Sequence, residues 1–271
     1  MKAAGRVTAL NIYPVKSCRG ISLTEMNMTA QGPAFDRQWM IVDSDNQFMT
    51  LRTFSKLAEI KTAVQGNFLH LYAGAHKILI NTLEECVTME EVTVWGDVVR
   101  AGIENRSINE ALSDFLSKTV KLTRYQSSSF RGLDEAGTLV AEQMMFADSR
   151  PVLLTNESSL KDLNEKLAAK KLEPSLMERF RANILVSGLA AYQEDDIVEC
   201  KVGAVTLQNP HLCGRCPIIT QDAETGTVVS RETLKTLADY RKKAGSRGIP
   251  FGVHFTPAST GTIRVGDQLF L

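Results

Sequence analysis

The sequence predicts a mainly β protein with added helices, an α+β fold built in two parts. Three observations point there. Short apolar runs, punctuated by Gly, Asn and Asp, crowd the first hundred residues, as they do in barrels and sandwiches. A few later stretches carry their apolar residues at helical spacing instead. A polar, serine-rich stretch beginning at Gln126 interrupts both patterns and divides the chain into 1–126 and 127–271.

Taken in order, strands are expected from Val7 to Tyr13, Ile21 to Thr29, Trp39 to Val42, Phe68 to Tyr72, Ile78 to Ile80 and Val92 to Trp95. Ser107 to Glu110 reads as a capping box, in which Ser and Glu satisfy the free backbone groups of a helix start. Ile108, Ala111, Leu112, Phe115 and Leu116 then mark one buried helical face. From Gln126 to Asp148 few regular elements are readable, which suits a domain boundary or a long loop over a site. The second part alternates. Strands are expected at Val152 to Thr155, Asn183 to Ser187, Ile197 to Lys201, Ala204 to Leu207, Pro217 to Thr220, Phe251 to Phe255 and Thr262 to Leu271. Leu160, Leu163 and Leu167 mark one helix and Leu234, Leu237 and Ala238 another, with a second capping box at Ser175 to Glu178.

Composition narrows the function. The 31 Lys and Arg balance the 31 Asp and Glu, which argues against broad binding to nucleic acid or to an anionic membrane. No apolar run reaches the length of a bilayer span, and the N-terminus lacks the pattern of a secretory signal, so a cytoplasmic monomer is expected. Cys18, Cys86, Cys200, Cys213 and Cys216 are odd in number, which favours free thiols. Only Cys213 and Cys216 lie close together. A zinc ribbon wants a second such pair, and a thioredoxin-like pair should open a helix after a strand.

The most informative stretch is Cys213-Gly214-Arg215-Cys216-Pro217. A fixed positive charge at Arg215 beside a thiol favours the thiolate, the form that ligates metals and attacks electrophiles. Other basic residues fall at strand edges. Lys16 and Ser17 follow a rigid Pro and precede Gly20, a junction that can aim an ammonium and a hydroxyl at one anion, or simply form a surface hairpin. Arg37, Arg52, Arg179 and Arg181 add planar donors, as a site for a large anionic ligand requires.

These pieces together resemble the MOSC-domain proteins, and within them the branch of the mitochondrial amidoxime-reducing components and their bacterial relatives. The resemblance runs through Tyr13-Pro14-Val15-Lys16-Ser17-Cys18, Asp36 to Met40, Asp148 to Leu154, Phe180 to Ile184, Cys213 to Cys216 with Thr225-Gly226, and Gly252 to Asp267. It implies a β-rich MOSC N-terminal domain packed on a C-terminal MOSC β-barrel with peripheral helices. It also implies molybdenum held by a pyranopterin, with Cys216 as the protein's ligand to the metal. By the same resemblance Lys16, Ser17, Arg37, Arg52, Arg181, Asn183 and Arg215 hold the cofactor. Asp222, near Cys216 in the chain, is expected to orient a metal-bound oxygen or relay a proton. Gln221 and Ala223 depart from the Val and Pro that relatives often carry there.

The activity implied is oxidoreductase: reduction of N-hydroxylated compounds by oxygen-atom transfer at the cysteine-ligated molybdenum. A sulfur carrier or sulfurtransferase with a persulfide on Cys216 or Cys213, and a non-enzymatic carrier of the cofactor, are the alternatives. A pyridoxal phosphate imine at Lys16 is set aside, because a nucleophilic lysine needs a desolvated pocket. The sequence carries no Gly-rich dinucleotide fingerprint and no cysteine cluster of ferredoxin spacing, and it ends soon after the barrel pattern. Electrons are therefore expected from a separate iron–sulfur, flavin or haem protein.

Overall fold

A computed structural model describes residues 1–131, 144–242 and 248–271. Its centre is a closed barrel of seven strands. Around the barrel run Ile184–Ser187, Val152–Asn156, Ile249–Pro257, Val205–Arg215, Cys200–Val202, Gln268–Phe270 and Ala3–Ile12, and the last pairs back onto the first. Val7, Leu10, Leu154, Val186, Val253 and Phe255 fill its interior. Closure leaves the barrel with no exposed edge along which another chain could pair.

The first part of the chain builds two smaller sheets over a second core. One orders Trp39–Asp43, Val120–Arg124, Asp97–Ile103 and Thr88–Val94, and the other orders Lys61–Gln65, Phe68–Ala73 and His76–Asn81. The helix Arg106–Leu116 lays Ile108, Leu112 and Leu116 on that core, beside Leu69, Leu71 and Ile80. The two parts exchange strands. The barrel recruits Ala3–Ile12, and Glu25–Thr29 pairs with Gly261–Arg264 from the far end of the chain. A cut at 126 thus divides the sequence but not the sheets. Of the polar stretch that follows it, 132–143 lie outside the described residues.

Several local expectations are corrected. The first helix is capped by Asn105, whose Oδ1 accepts from the Ile108 N–H at 3.1 Å, so Ser107 is not the cap. Glu110 instead pairs with Arg106 one turn back. Ser175 caps no helix; a single 3-10 turn, Met177–Phe180, follows it. Pro217–Thr220 is also a 3-10 turn rather than a strand, with the Thr220 hydroxyl donating to the Pro217 carbonyl at 2.7 Å. Proline's fixed φ suits the first position of such a turn. The strand lies before it and carries Cys213 to Arg215 alongside Ile249–Pro257, with a shift of register between Leu212 and Gly214 that falls at Cys213. Ile21–Thr29 breaks in two, and so does the C-terminal run. The strand expected to end at Trp95 ends at Val94, because Trp95 and Gly96 both take positive φ (54° and 94°) and turn the chain into the hairpin partner Asp97–Ile103. Among the described residues no helix is long and apolar enough to cross a membrane.

Candidate functional site

A cavity of about 820 Å³ opens between the barrel wall and the N-terminal sheets. Both parts of the chain line it: Lys16, Arg52 and Trp95 on one side, Asn183, Cys216 and His254 on the other. Of the site residues expected from sequence, Lys16, Ser17, Arg37, Arg52, Arg181, Asn183, Arg215 and Cys216 all face this one space. Asp222 does not line it. The Asp222 Oδ1 accepts from the Glu224 N–H, the Thr225 N–H and the Thr225 hydroxyl, which fixes the turn after Cys216 and lowers the pKa of the carboxyl. Its carboxylate organises that loop.

Backbone geometry at the site is unusual. Ser17 (φ 68°), Arg37 (φ 50°), Trp95 (φ 54°) and Arg181 (φ 53°) line the cavity in the left-handed region, which side-chain-bearing residues seldom occupy. Such conformations persist where surrounding contacts over-determine them, and they concentrate at functional sites. Here the contacts are visible. The Tyr13 N–H donates to Asp36 Oδ1 at 2.7 Å, the Arg37 N–H to the Tyr13 carbonyl at 2.8 Å, and the Lys16 N–H to the Trp39 carbonyl at 2.8 Å. The loop carrying Lys16 and Ser17 is thereby fastened to the strand Trp39–Asp43.

The cationic groups divide into engaged and free. Arg37 donates to Asp36, to Asn183 Oδ1 and to the Arg181 carbonyl. Arg181 donates to the Cys18 carbonyl, and both guanidiniums lie over the Tyr13 ring, at 4.4 and 4.2 Å from its centroid. Asn183 is equally occupied: it accepts from the Leu153 N–H and donates to the Asn11 carbonyl. Lys16 donates to the Phe146 carbonyl at 2.8 Å and pairs with Asp148, which also accepts from the Trp95 indole at 2.9 Å. Burial lowers the Lys16 pKa, while Lys16 and the Trp95 bond hold the Asp148 carboxyl well below the usual range. Lys16 is therefore desolvated, but its ammonium is already paired, which leaves no free amine for an imine.

Free donors remain. Arg52 stacks over Trp95 at 4.2 Å, and neither its guanidinium nor that of Arg179 has a hydrogen-bond or ion-pair partner among the described residues. Arg215 donates through Nε to the Phe251 carbonyl and through Nη1 to the Phe180 carbonyl, both at 2.8 Å, yet its buried Nη2 has no partner. Asp148, Trp95 and His254 line the same cavity without being expected there, and Trp95-Gly96 as a tight-turn pair is the one local signal for any of them.

The cysteines separate by environment, and all five are unpaired. Burial pushes Cys18 and Cys200 up to about 12 and Cys86 up to about 11. Cys213 is buried in the barrel wall against Leu153 and Ala182, and burial raises its pKa too. Cys216 differs. It sits where the strand Val205–Arg215 gives way to the 3-10 turn, is partly exposed, and lines the cavity. Among the described residues no group of three or more His, Cys, Asp or Glu could hold a metal ion. A metal in this cavity would have to arrive with most of its ligands already attached. One accessible thiol, two free guanidiniums and an orphaned guanidinium nitrogen suit an anionic, metal-bearing cofactor of that kind.

Comparison with known proteins agrees with the architecture. Residues 4–120 match the MOSC N-terminal beta barrel domain and residues 141–270 the MOSC domain. Mitochondrial amidoxime-reducing component 1 of Homo sapiens is 31% identical over 291 residues, spanning 100% of this chain and 84% of that protein. Mitochondrial amidoxime reducing component 2 of Rattus norvegicus is 30% identical over the same share of each. Molybdenum cofactor sulfurase of Oryza sativa subsp. japonica is 29% identical across 89% of this chain, which spans only 31% of that longer protein. With both domains matched in order and relatives aligned along its whole length, the chain belongs to the MOSC family, in the group that joins a MOSC N-terminal domain to a MOSC domain.

Proposed function

We propose that this protein is an oxidoreductase that reduces N-hydroxylated compounds with a molybdenum–pyranopterin cofactor held in the cavity at Cys216. The observation that carries the reading is the donor set: one cavity-facing thiol among free cationic groups, and no cluster able to hold a bare metal among the described residues. The names of the relatives, amidoxime-reducing components and a molybdenum cofactor sulfurase, support the same class. When bound, the cofactor supplies two-electron chemistry and an acceptor for the oxygen that leaves nitrogen.

The chain's own residues have separate tasks. Cys216 offers a soft sulfur ligand just past the end of the strand Val205–Arg215. Arg52 and Arg179 offer donors to the anionic parts of the cofactor, while Arg37 and Asn183, bonded to each other and to the backbone, hold the walls in position. The apolar and aromatic parts of the lining, Phe180, Trp95 and Ile218 among them, limit water around the reacting groups.

The test is protein produced in a host that makes the cofactor. Stoichiometric molybdenum and turnover of an aryl amidoxime with a reduced viologen are expected. Cys216→Ala should abolish turnover and remove one sulfur ligand from the X-ray absorption spectrum. An unchanged sulfur count would sink the ligand role. A persulfide on Cys216 without molybdenum would favour sulfur carriage instead.

A further inference from the structure

One cavity residue has no role in the account above. His254 lies on the strand Ile249–Pro257, opposite His211 in the register of the barrel wall, and faces the cavity. Its ring bonds to the Arg150 backbone, while Nδ1 is buried with no partner. A second orphan shares the cavity, the Nη2 donor of Arg215. The two are linked through the fold. Gly252, two residues before His254, takes φ +76°, and a Cβ there would stand 3.4 Å from Arg215 Nη2 and 2.7 Å from the Leu154 carbonyl oxygen. The bare glycine thus lets the guanidinium lie against this strand.

Buried polar atoms without partners are uncommon, and each one calls for an explanation. The bond to the Arg150 backbone raises the His254 pKa, so the ring donates there to a carbonyl, and it does so through the nitrogen other than Nδ1. In the neutral ring Nδ1 is then a lone-pair acceptor. Burial, and after it the charges of Arg215 and Arg37, push the imidazole pKa down to about 3, so the ring stays neutral at working pH. A neutral acceptor and a cationic donor on the lining of one cavity complement a ligand that carries both a donor and an acceptor.

We infer that His254 Nδ1 accepts a hydrogen bond from an N–H or O–H of the ligand bound in this cavity, while Arg215 Nη2 donates to an acceptor of the same ligand. The chemistry recognised is an amidine-like or amide-like edge. Two sources could present it, the pterin ring of a cofactor or an N-hydroxylated amidine substrate. The choice between those sources rests on the function proposed above; the recognition itself rests on the two orphaned atoms.

The experiment compares wild type with His254→Phe and His254→Gln, produced in the cofactor-making host. Pterin per chain is measured after release. Dissociation constants are measured by calorimetry for an aryl amidoxime, which has N–H and O–H donors, and for pyridine N-oxide, which has none. If the pterin is read, its content in His254→Phe falls about tenfold or more, with partial recovery in His254→Gln. If the substrate is read, pterin content holds, the amidoxime binds about tenfold to hundredfold more weakly, and pyridine N-oxide is unaffected. A folded His254→Phe protein with unchanged pterin and unchanged amidoxime affinity overturns the inference.

Should the Phe variant not fold, wild type labelled with 15N at histidine decides. The His254 Nδ1 resonance should move on cofactor loading or on addition of the amidoxime, and a resonance unmoved by both refutes the assignment. These readouts report binding, so they stay informative even if wild type reduces nothing, an outcome that would overturn only the proposed function.

Discussion

Lys16 and Asp148 show how a single ion pair organises this cavity. Lys16 is 6% exposed, and burial lowers its pKa, so folding disfavours its charge and stability gains as pH rises toward the ordinary lysine value. Asp148 offsets this, and its own carboxyl titrates below the unfolded value of about 3.9. A depressed carboxyl contributes stability that is present above the unfolded pKa and is lost as pH falls through the folded one. Asp148→Asn should therefore destabilise the protein at neutral pH. The Asp148 side chain is 52% exposed, so solvent screening holds the cost to about 1–2 kcal/mol, below the loss expected for a fully buried pair. Urea melts of wild type and variant across pH check it. The gap should be full at pH 7 and close as pH drops below the ordinary carboxylate range. A gap of constant size would mean that the Asp148 charge has no part in it.

At the scale of elements, the site depends on close backbone approach within the barrel wall. Gly252 is the clearest case, since an added Cβ would stand 2.7 Å from the Leu154 carbonyl oxygen in addition to the left-handed φ. Gly96 takes φ +94°, and an added Cβ there would have nothing within 4 Å. Replacing either glycine with alanine incurs the left-handed penalty of about 1–2 kcal/mol. Gly252→Ala must also push two strands apart, so it should lose more stability than Gly96→Ala in the same denaturant titration and should reduce cofactor content as Arg215 shifts. Equal losses at both sites would show that the wall yields easily. The Cys216 loop is anchored in a comparable way. Gln221 donates to the Leu51 carbonyl at 2.9 Å, and the Leu51 N–H reaches Ser17 Oγ at 3.4 Å, so Leu51 joins the loops that carry Ser17 and Cys216.

For the molecule as a whole, the proposed chemistry needs electrons that the chain has no visible means of drawing from a nicotinamide. The cysteines other than Cys216 are scattered and buried or partly buried, and the sequence has no dinucleotide fingerprint. We expect cofactor-loaded protein to reduce an aryl amidoxime with a reduced viologen and to fail with NADH alone. A separate redox protein, docking transiently near the cavity mouth through a small polar interface, would meet the need. Sustained turnover with NADH and this chain as the only protein would refute the partner requirement.

Much of this protein was determined by its sequence alone. The buried Leu10 and Ile12, two residues apart, and the short apolar run Val152 to Thr155, buried on both faces, specify barrel strands, while the register shift between Val7 and Ala9 that also turns Val7 inward comes from the pairing with Ile184–Ser187. The leucines at 160, 163 and 167 specify a helix, although only Leu163 and Leu167 reach full burial. The order of the motifs from Lys16 to Cys216 was enough to identify the family. Local pattern misled where a single residue changed the geometry: Pro217 opened a turn, Asn105 displaced Ser107 as cap, and the buried Arg124, paired with Glu104, disguised the strand Val120–Arg124. Only the tertiary structure decided which charges at the site are free. Arg37 and Asn183 look like ligand contacts in the sequence and prove to be bonded to each other and to the backbone, while Arg181 gives one Nη2 bond to the Cys18 carbonyl. Arg179, Asp148, Trp95 and His254 enter the site because barrel closure brings distant segments to one cavity. The partners of a buried polar group are fixed by contacts far apart in sequence, so spacing along the chain cannot reveal whether that group is satisfied or still waiting for a ligand.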